Sequence, residues 1–135
     1  MTHSITTSAL ALALIAVPAA AIANAPIEGH WRNPKGSVTV IIAPCGDALC
    51  GTVTEANAKA RATALKGGTK QLIGARILTG MRASGQGEYR GRVFDPKRNI
   101  HAPATLRLMG SATLVVRGCV MHGFICKEQR WTRVG

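Results

Sequence analysis

Four cysteines are the residues of this chain best placed to do chemistry, and their spacing decides which chemistry that is. Cys45 and Cys50 enclose four residues, and Cys119 and Cys126 enclose six. Structural zinc sites usually hold their paired thiolates about two residues apart, so neither pair reads as half of a metal site. An even number of cysteines at short spacings reads instead as disulfides, which persist only outside the reducing cytosol.

The start of the chain agrees with that compartment. Residues Met1 to Ala23 have a polar beginning, an apolar run from Ala9 to Val17 and small residues leading to Ala21-Ile22-Ala23. This is the pattern of a secretory signal peptide cut before Asn24, although His3 stands where Lys or Arg is usual. The apolar run is well short of the ~20 residues that cross a bilayer, and no cysteine follows to carry a lipid. The expectation is a single mature domain over 24–135, monomeric, without a transmembrane segment, in the periplasm or outside a Gram-negative cell.

Each pair must then be positioned by a hairpin. A turn of Gly46-Asp47-Ala48-Leu49 would set Cys45 opposite Cys50, and a loop from Val120 to Ile125 would set Cys119 opposite Cys126. Facing strand residues lie about 4.5 to 5.5 Å apart, within the roughly 4.4 to 6.8 Å that a disulfide accepts. Loop entropy pulls the other way: a link from Cys45 to Cys119 contributes about 4.5 kcal/mol against roughly 2 to 2.5 for each local bridge. Hairpin geometry makes the local pairing the expectation.

Short β-branched runs separated by Gly and Pro at intervals of about 8 to 12 residues supply those strands. They are Ser37 to Ala43, Cys50 to Glu55, Tyr89 to Phe94, Ala104 to Met109, Thr113 to Val120 and Lys127 to Val134, with two shorter ones around Trp31 and at Ile77 to Met81. The fold class is all-β: one small antiparallel β-barrel of seven or eight strands with disulfide-stapled hairpins. Ala56 to Gln71 lacks alternation and reads either as one or two helical turns from Asn57 to Leu65, with Asn57 as cap, or as a basic surface loop.

Ordered motifs along the chain resemble a known family. Gly29-His30-Trp31, Pro44-Cys45-Gly46, Leu49-Cys50-Gly51, Ile77-Leu78-Thr79-Gly80-Met81, Val93-Phe94-Asp95-Pro96, Val116-Arg117-Gly118-Cys119 and Gln129-Arg130-Trp131-Thr132-Arg133 are similar to domain of unknown function 2147. The resemblance covers Gly29 to Arg133. It implies a small secreted bacterial protein with a lipocalin-like barrel, and brings no catalytic residues with it. More loosely, Trp31 resembles the tryptophan that plugs the closed end of such barrels beneath an arginine of the last strand. Arg130 or Arg133 would supply that arginine, and Trp131 reads as a further barrel-closing residue.

Enzymatic chemistry finds little support. Glu28, Asp47, Glu55, Glu88, Asp95 and Glu128 are scattered, without the facing pair that glycoside hydrolysis needs. Ser84 lacks the glycine spacing of a nucleophile elbow, and Gly85-Gln86-Gly87 reads as a hairpin tip. His30, His101 and His122 sit in separate segments. No cofactor and no metal is expected.

Charge is the remaining signal. The chain carries 17 Lys and Arg against 6 Asp and Glu, a net +11. Arg90, Arg92, Arg107, Arg117 and Lys127, with Arg130, fall at polar positions of strands, where aligned neighbours would form a stripe attracting polyanions. With one Tyr and two Phe, the chain has few stacking platforms, which makes nucleic acid the weaker partner. Two function classes follow. The first is a non-enzymatic binding module holding a small apolar ligand inside the barrel. The second is an envelope-interaction protein whose outer basic face meets lipopolysaccharide or phospholipid head groups.

Overall fold

Period-two alternation builds eight strands, and their sequential antiparallel pairing closes a barrel. They are β1 (Gly29–Arg32), β2 (Val38–Cys45), β3 (Ala48–Ala56), β4 (Arg76–Gly85), β5 (Glu88–Asp95), β6 (Ile100–Met109), β7 (Thr113–Val120) and β8 (Ile125–Val134). A helix, α1 (Ala58–Lys66), sits between β3 and β4. Each strand pairs with its chain neighbour, and β1 pairs with β8 through His30–Val134, Trp31–Arg133 and Arg32–Thr132. The computed structural model of the protein describes residues 2, 8–15 and 25–135. The cleavage site expected after Ala23 lies outside them, and 8–15 are irregular and exposed.

The expected strands are present, with β4 extending well past the short run at Ile77 to Met81. The ambiguous basic stretch is a helix. The Asn57 side chain accepts a hydrogen bond from the Ala60 backbone N–H at 2.8 Å and so satisfies one of the free donors at the helix start. Along its length only Ala64 is buried, against the barrel core together with Leu72. Gly67 ends the helix at a point where a β-carbon would overlap the Lys97 carbonyl oxygen, so α1 is seated directly on the β5–β6 turn. Thr69 Oγ1 donates to the Pro96 carbonyl at 3.0 Å beside it.

Inward positions are mostly apolar, with β8 the exception through Lys127, Gln129 and Arg133. Trp31, Val40, Ile42, Val53, Leu78, Met81, Leu106 and Leu114 are fully buried, each contributing about 1.5 to 3 kcal/mol of burial. Tyr89, Val116 and Trp131 extend the same cluster. Where β7 carries Gly118, a β-carbon would already meet Val93 Cγ1 at 3.0 Å, so β5 and β7 side chains pack against each other over the small Ala102 and Ala104 of β6. Outward positions carry Arg90, Arg92, Arg107 and Arg117, all exposed. That arrangement is the reverse of a transmembrane barrel, whose lipid face is apolar. No helix among the described residues is long and apolar enough to cross a membrane.

One register differs from expectation. The β2–β3 turn is only Gly46-Asp47, so Cys45 faces Ala48 and Cys50 faces Ala43. The Cys45–Cys50 bridge therefore runs diagonally, with Cα atoms 5.5 Å apart, across a ribbon whose twist brings diagonal neighbours together. Cys119 and Cys126 do face each other directly, 4.1 Å apart at Cα, and are bridged.

Candidate functional site

Sequential antiparallel pairing sorts the connections into two groups, and this sorting assembles the candidate sites. The β2–β3, β4–β5 and β6–β7 turns and the segment before β1 share one end. The β1–β2, β3–β4, β5–β6 and β7–β8 connections share the other.

The first end is closed by aromatic and guanidinium groups. Trp31 is fully buried, and its Nε1 donates to the Ile27 carbonyl at 2.8 Å. Arg133, its register partner on β8, lies with the guanidinium carbon 4.3 Å from the ring centroid. The same guanidinium donates to the carbonyls of Ser111 at 2.7 Å, Glu28 at 2.7 Å and Pro26 at 2.6 Å. All three nitrogens are engaged, Nη1 and Nη2 tying β8 to the segment before β1 and Nε tying it to the β6–β7 turn. Trp131 packs in the core opposite Leu114, and its Nε1 donates to Gln129 Oε1 at 2.9 Å. Arg130 is not part of this closure. One residue along from Trp131, it faces outward, with Nη1 3.9 Å from Met109 Sδ.

Across β4 to β8 the outer face carries arginines in register. One row runs Arg82, Arg90, Thr105, Arg117 and Glu128, and the next runs Glu88, Arg107, Val115 and Arg130. With strands about 4.8 Å apart, successive cations in a row stand roughly 5 to 10 Å from one another. Val115 is only 3% exposed although it lies outside the interior cluster. Its flanking neighbours are Arg107 and Arg130, whose aliphatic stems are placed to cover it. Arg90 pairs with Glu88 at 3.3 Å, whereas Arg92, Arg107 and Arg117 have no ion pair among the described residues. Lys127 does not join this face: it pairs with inward-facing Gly118 and so belongs to the barrel's inner side near the second end, where it is exposed.

Asp47 and Arg82 tie the β2–β3 turn to β4 at 2.9 Å. The hydrogen bond from Arg82, reinforced by its charge, holds the Asp47 carboxyl below its ordinary range.

The second end gathers residues that strand-by-strand reading passes over. Its four connections contain Lys35, Lys59, Arg61, Lys66, Lys70, Lys97 and Arg98, and no Asp or Glu. Leu65, Ile73, Met121 and Phe124 on these connections, with Ile100 and Ile125 at the strand starts that follow them, are between 41% and 89% exposed. A concavity of about 240 Å³ there is lined by Arg61, Lys70, Gln71, Leu72 and Ile73. A second, of about 260 Å³, is lined by Arg32, Gly36, Ser37, Thr39, Glu55, Ala56 and Asn57. The signal that would have found this end is connection parity: charges are to be summed by alternate loops as well as by strand faces.

The residues considered for catalysis stay apart. Ser84 Oγ donates to Glu88 Oε1 at 3.1 Å on the β4–β5 hairpin. His101 stacks on Phe94 with ring centroids 4.8 Å apart. His30 is exposed on β1, and His122 lies in the β7–β8 loop.

Comparison with known proteins bears on the fold. No curated protein matches the chain. Among solved structures, protein HP1028 from Helicobacter pylori, described as belonging to the lipocalin family, is similar with a TM-score of 0.59 at 11% identity, over 80% of this chain and 82% of that one. The architecture is therefore lipocalin-like. Residues 29–133 match the family model described as an uncharacterized protein conserved in bacteria, DUF2147, and the chain belongs to that family.

Proposed function

We propose that the protein is a non-enzymatic binding module of the bacterial envelope that meets anionic partners on its outside. The observation that carries this reading is the register of exposed Arg90, Arg92, Arg107 and Arg117 on adjacent strands around an interior already occupied by apolar side chains. Guanidiniums at this spacing, of which only Arg90 has an ion pair among the described residues, favour phosphate-rich or carboxylate-rich polymers and speed their encounter. Two disulfides support residence outside the cytosol. Binding of a fluorescent polyphosphate tests the reading. Affinity should fall about tenfold or more between roughly 50 and 200 mM salt. Arg90→Glu with Arg117→Glu should weaken it further, and binding that ignores both salt and these changes would overturn the reading.

A second reading, a small apolar ligand held within the barrel, is supported by the lipocalin-like architecture and by the small residues Ala102, Ala104 and Gly118 on the interior of β6 and β7. A native mass spectrum of protein isolated from the envelope without reductant tests it. A non-covalent mass lost on activation would favour the interior; a bare protein would favour the outer surface.

A further inference from the structure

The end of the barrel that carries α1 combines two properties that are rarely useful apart. Of the seven large apolar side chains exposed within 25–135, six lie there: Leu65, Ile73, Ile100, Met121, Phe124 and Ile125; Met109 is the seventh. The four connections at this end together hold seven Lys and Arg and no carboxylate, and Asp95, the last residue of β5, is paired with Arg98 at 2.8 Å. Apolar tips surrounded by cations match the two layers of an anionic bilayer, with acyl chains beneath phosphates.

The β7–β8 hairpin shows that this exposure is built. The β6–β7 ladder stops at the Ala104–Gly118 pair, while the β7–β8 ladder continues to Val120–Ile125. β7 parts from β6 there although β6 continues beside β5 to Ile100, which leaves a two-stranded ribbon without a neighbour on the β7 side, and such ribbons are weak alone. The Cys119–Cys126 bridge spans it at its base. At its tip Met121 and His122 adopt left-handed backbone, φ 53° and 55°, a conformation disfavoured for residues with a β-carbon. Phe124, 89% exposed, is the result. Across the same end, on the β3–β4 connection, Arg61, Lys70 and Gln71 line the 240 Å³ concavity beside Ile73, where a phosphate head group can sit with its acyl chain against an apolar neighbour.

We infer that this end docks on an anionic phospholipid bilayer, with Phe124 and Met121 inserted among the acyl chains and Lys66, Lys70 and Arg61 bound to phosphates. The inference rests on the anionic-partner reading above and assigns it a partner and an orientation. The barrel stands end-on, with its arginine-bearing wall facing the aqueous side.

Vesicles of phosphatidylcholine with and without phosphatidylglycerol test it, using protein expressed from the full chain and isolated without reductant, so that any leader is common to all variants. Phe124→Trp should shift its emission to the blue on anionic vesicles and be quenched by lipids brominated in their acyl chains. Each cation at an anionic surface raises affinity about fivefold, so Lys66→Glu with Lys70→Glu should weaken vesicle binding by about 25-fold or more. Those changes should leave polyphosphate binding by the outer face within about threefold. Phe124→Ser, at an exposed position, keeps the fold and should reduce vesicle binding alone.

Absence of quenching, equal binding to neutral vesicles, or binding only when lipopolysaccharide replaces phosphatidylglycerol would overturn the inference. If Arg90→Glu with Arg117→Glu abolishes vesicle and polyphosphate binding while the α1-end variants bind normally, the inference falls and the outer-face reading stands. If neither vesicles nor polyphosphate bind, both fall.

Discussion

The two disulfide-clamped hairpins leave the barrel at opposite ends and are built for opposite circumstances. The β2–β3 hairpin turns in two residues, runs past the end of β1 at Ile42 but keeps β4 beside it at Leu49–Met81, and is tied to β4 by Asp47 and Arg82. The β7–β8 hairpin turns in four residues, parts from β6 after Gly118, and holds an exposed phenylalanine. Near the first, Trp31 and Arg133 seal the barrel; near the second, cations and apolar tips face outward. The same covalent device thus reinforces a hairpin already held by β4 in one place and maintains a ribbon that has parted from β6 in the other. What a bridge does is set by the strands around it.

The contrast is tested most severely at the sealed end. Trp31→Ala should cost about 3 to 5 kcal/mol in denaturant unfolding, through lost burial and a cavity, while Phe124→Ala should change stability by less than about 0.5 kcal/mol. Arg133→Ala, which removes three charge-assisted hydrogen bonds and the contact with Trp31, should cost about 2 to 3 kcal/mol. Arg133→Lys should recover only part of this, because an ammonium does not reach three separated carbonyls as a planar fork does. Removing either bridge by a double Cys→Ser change should cost about 2 kcal/mol. Amide exchange should separate the two: loss of Cys119–Cys126 should expose 120–125 to fast exchange, whereas loss of Cys45–Cys50 should leave the β2–β3 ladder protected. The smallest effect is electrostatic. The lowered Asp47 pKa means that its pairing with Arg82 stabilises the fold above the ordinary carboxylate value, and that this contribution is lost as pH falls through the lowered one. Arg82→Ala should return the Asp47 titration, followed by NMR, to the ordinary range.

The barrel was legible because alternation states which side each residue takes: Tyr89, Gly91 and Val93 inward, Arg90 and Arg92 outward. Cysteine pairing was legible for the same reason, but the diagonal at Cys45–Cys50 was not, because a four-residue turn and the two-residue Gly46-Asp47 turn fit the same letters. Asn57 marked the start of α1, yet only contact with the core through Ala64 decides helix over loop, and that contact is made across the fold. Lys127 was placed on the wrong side because its side follows from the pairing with Gly118, not from its own strand's composition. The grouping of Lys66, Lys97 and Phe124 depends on closure, which brings together segments far apart in the chain.

Closure also has a kinetic side. Seven of the eight ladders join consecutive strands and form from local hairpins, but β1 waits for β8, a partner about a hundred residues later, and the Arg133 clasp with it. Until those strands meet, β1 and β8 are open sheet edges able to pair with another chain. A chain shortened by even the last few residues, losing Arg133, would therefore be expected to aggregate during folding before it showed any defect in binding.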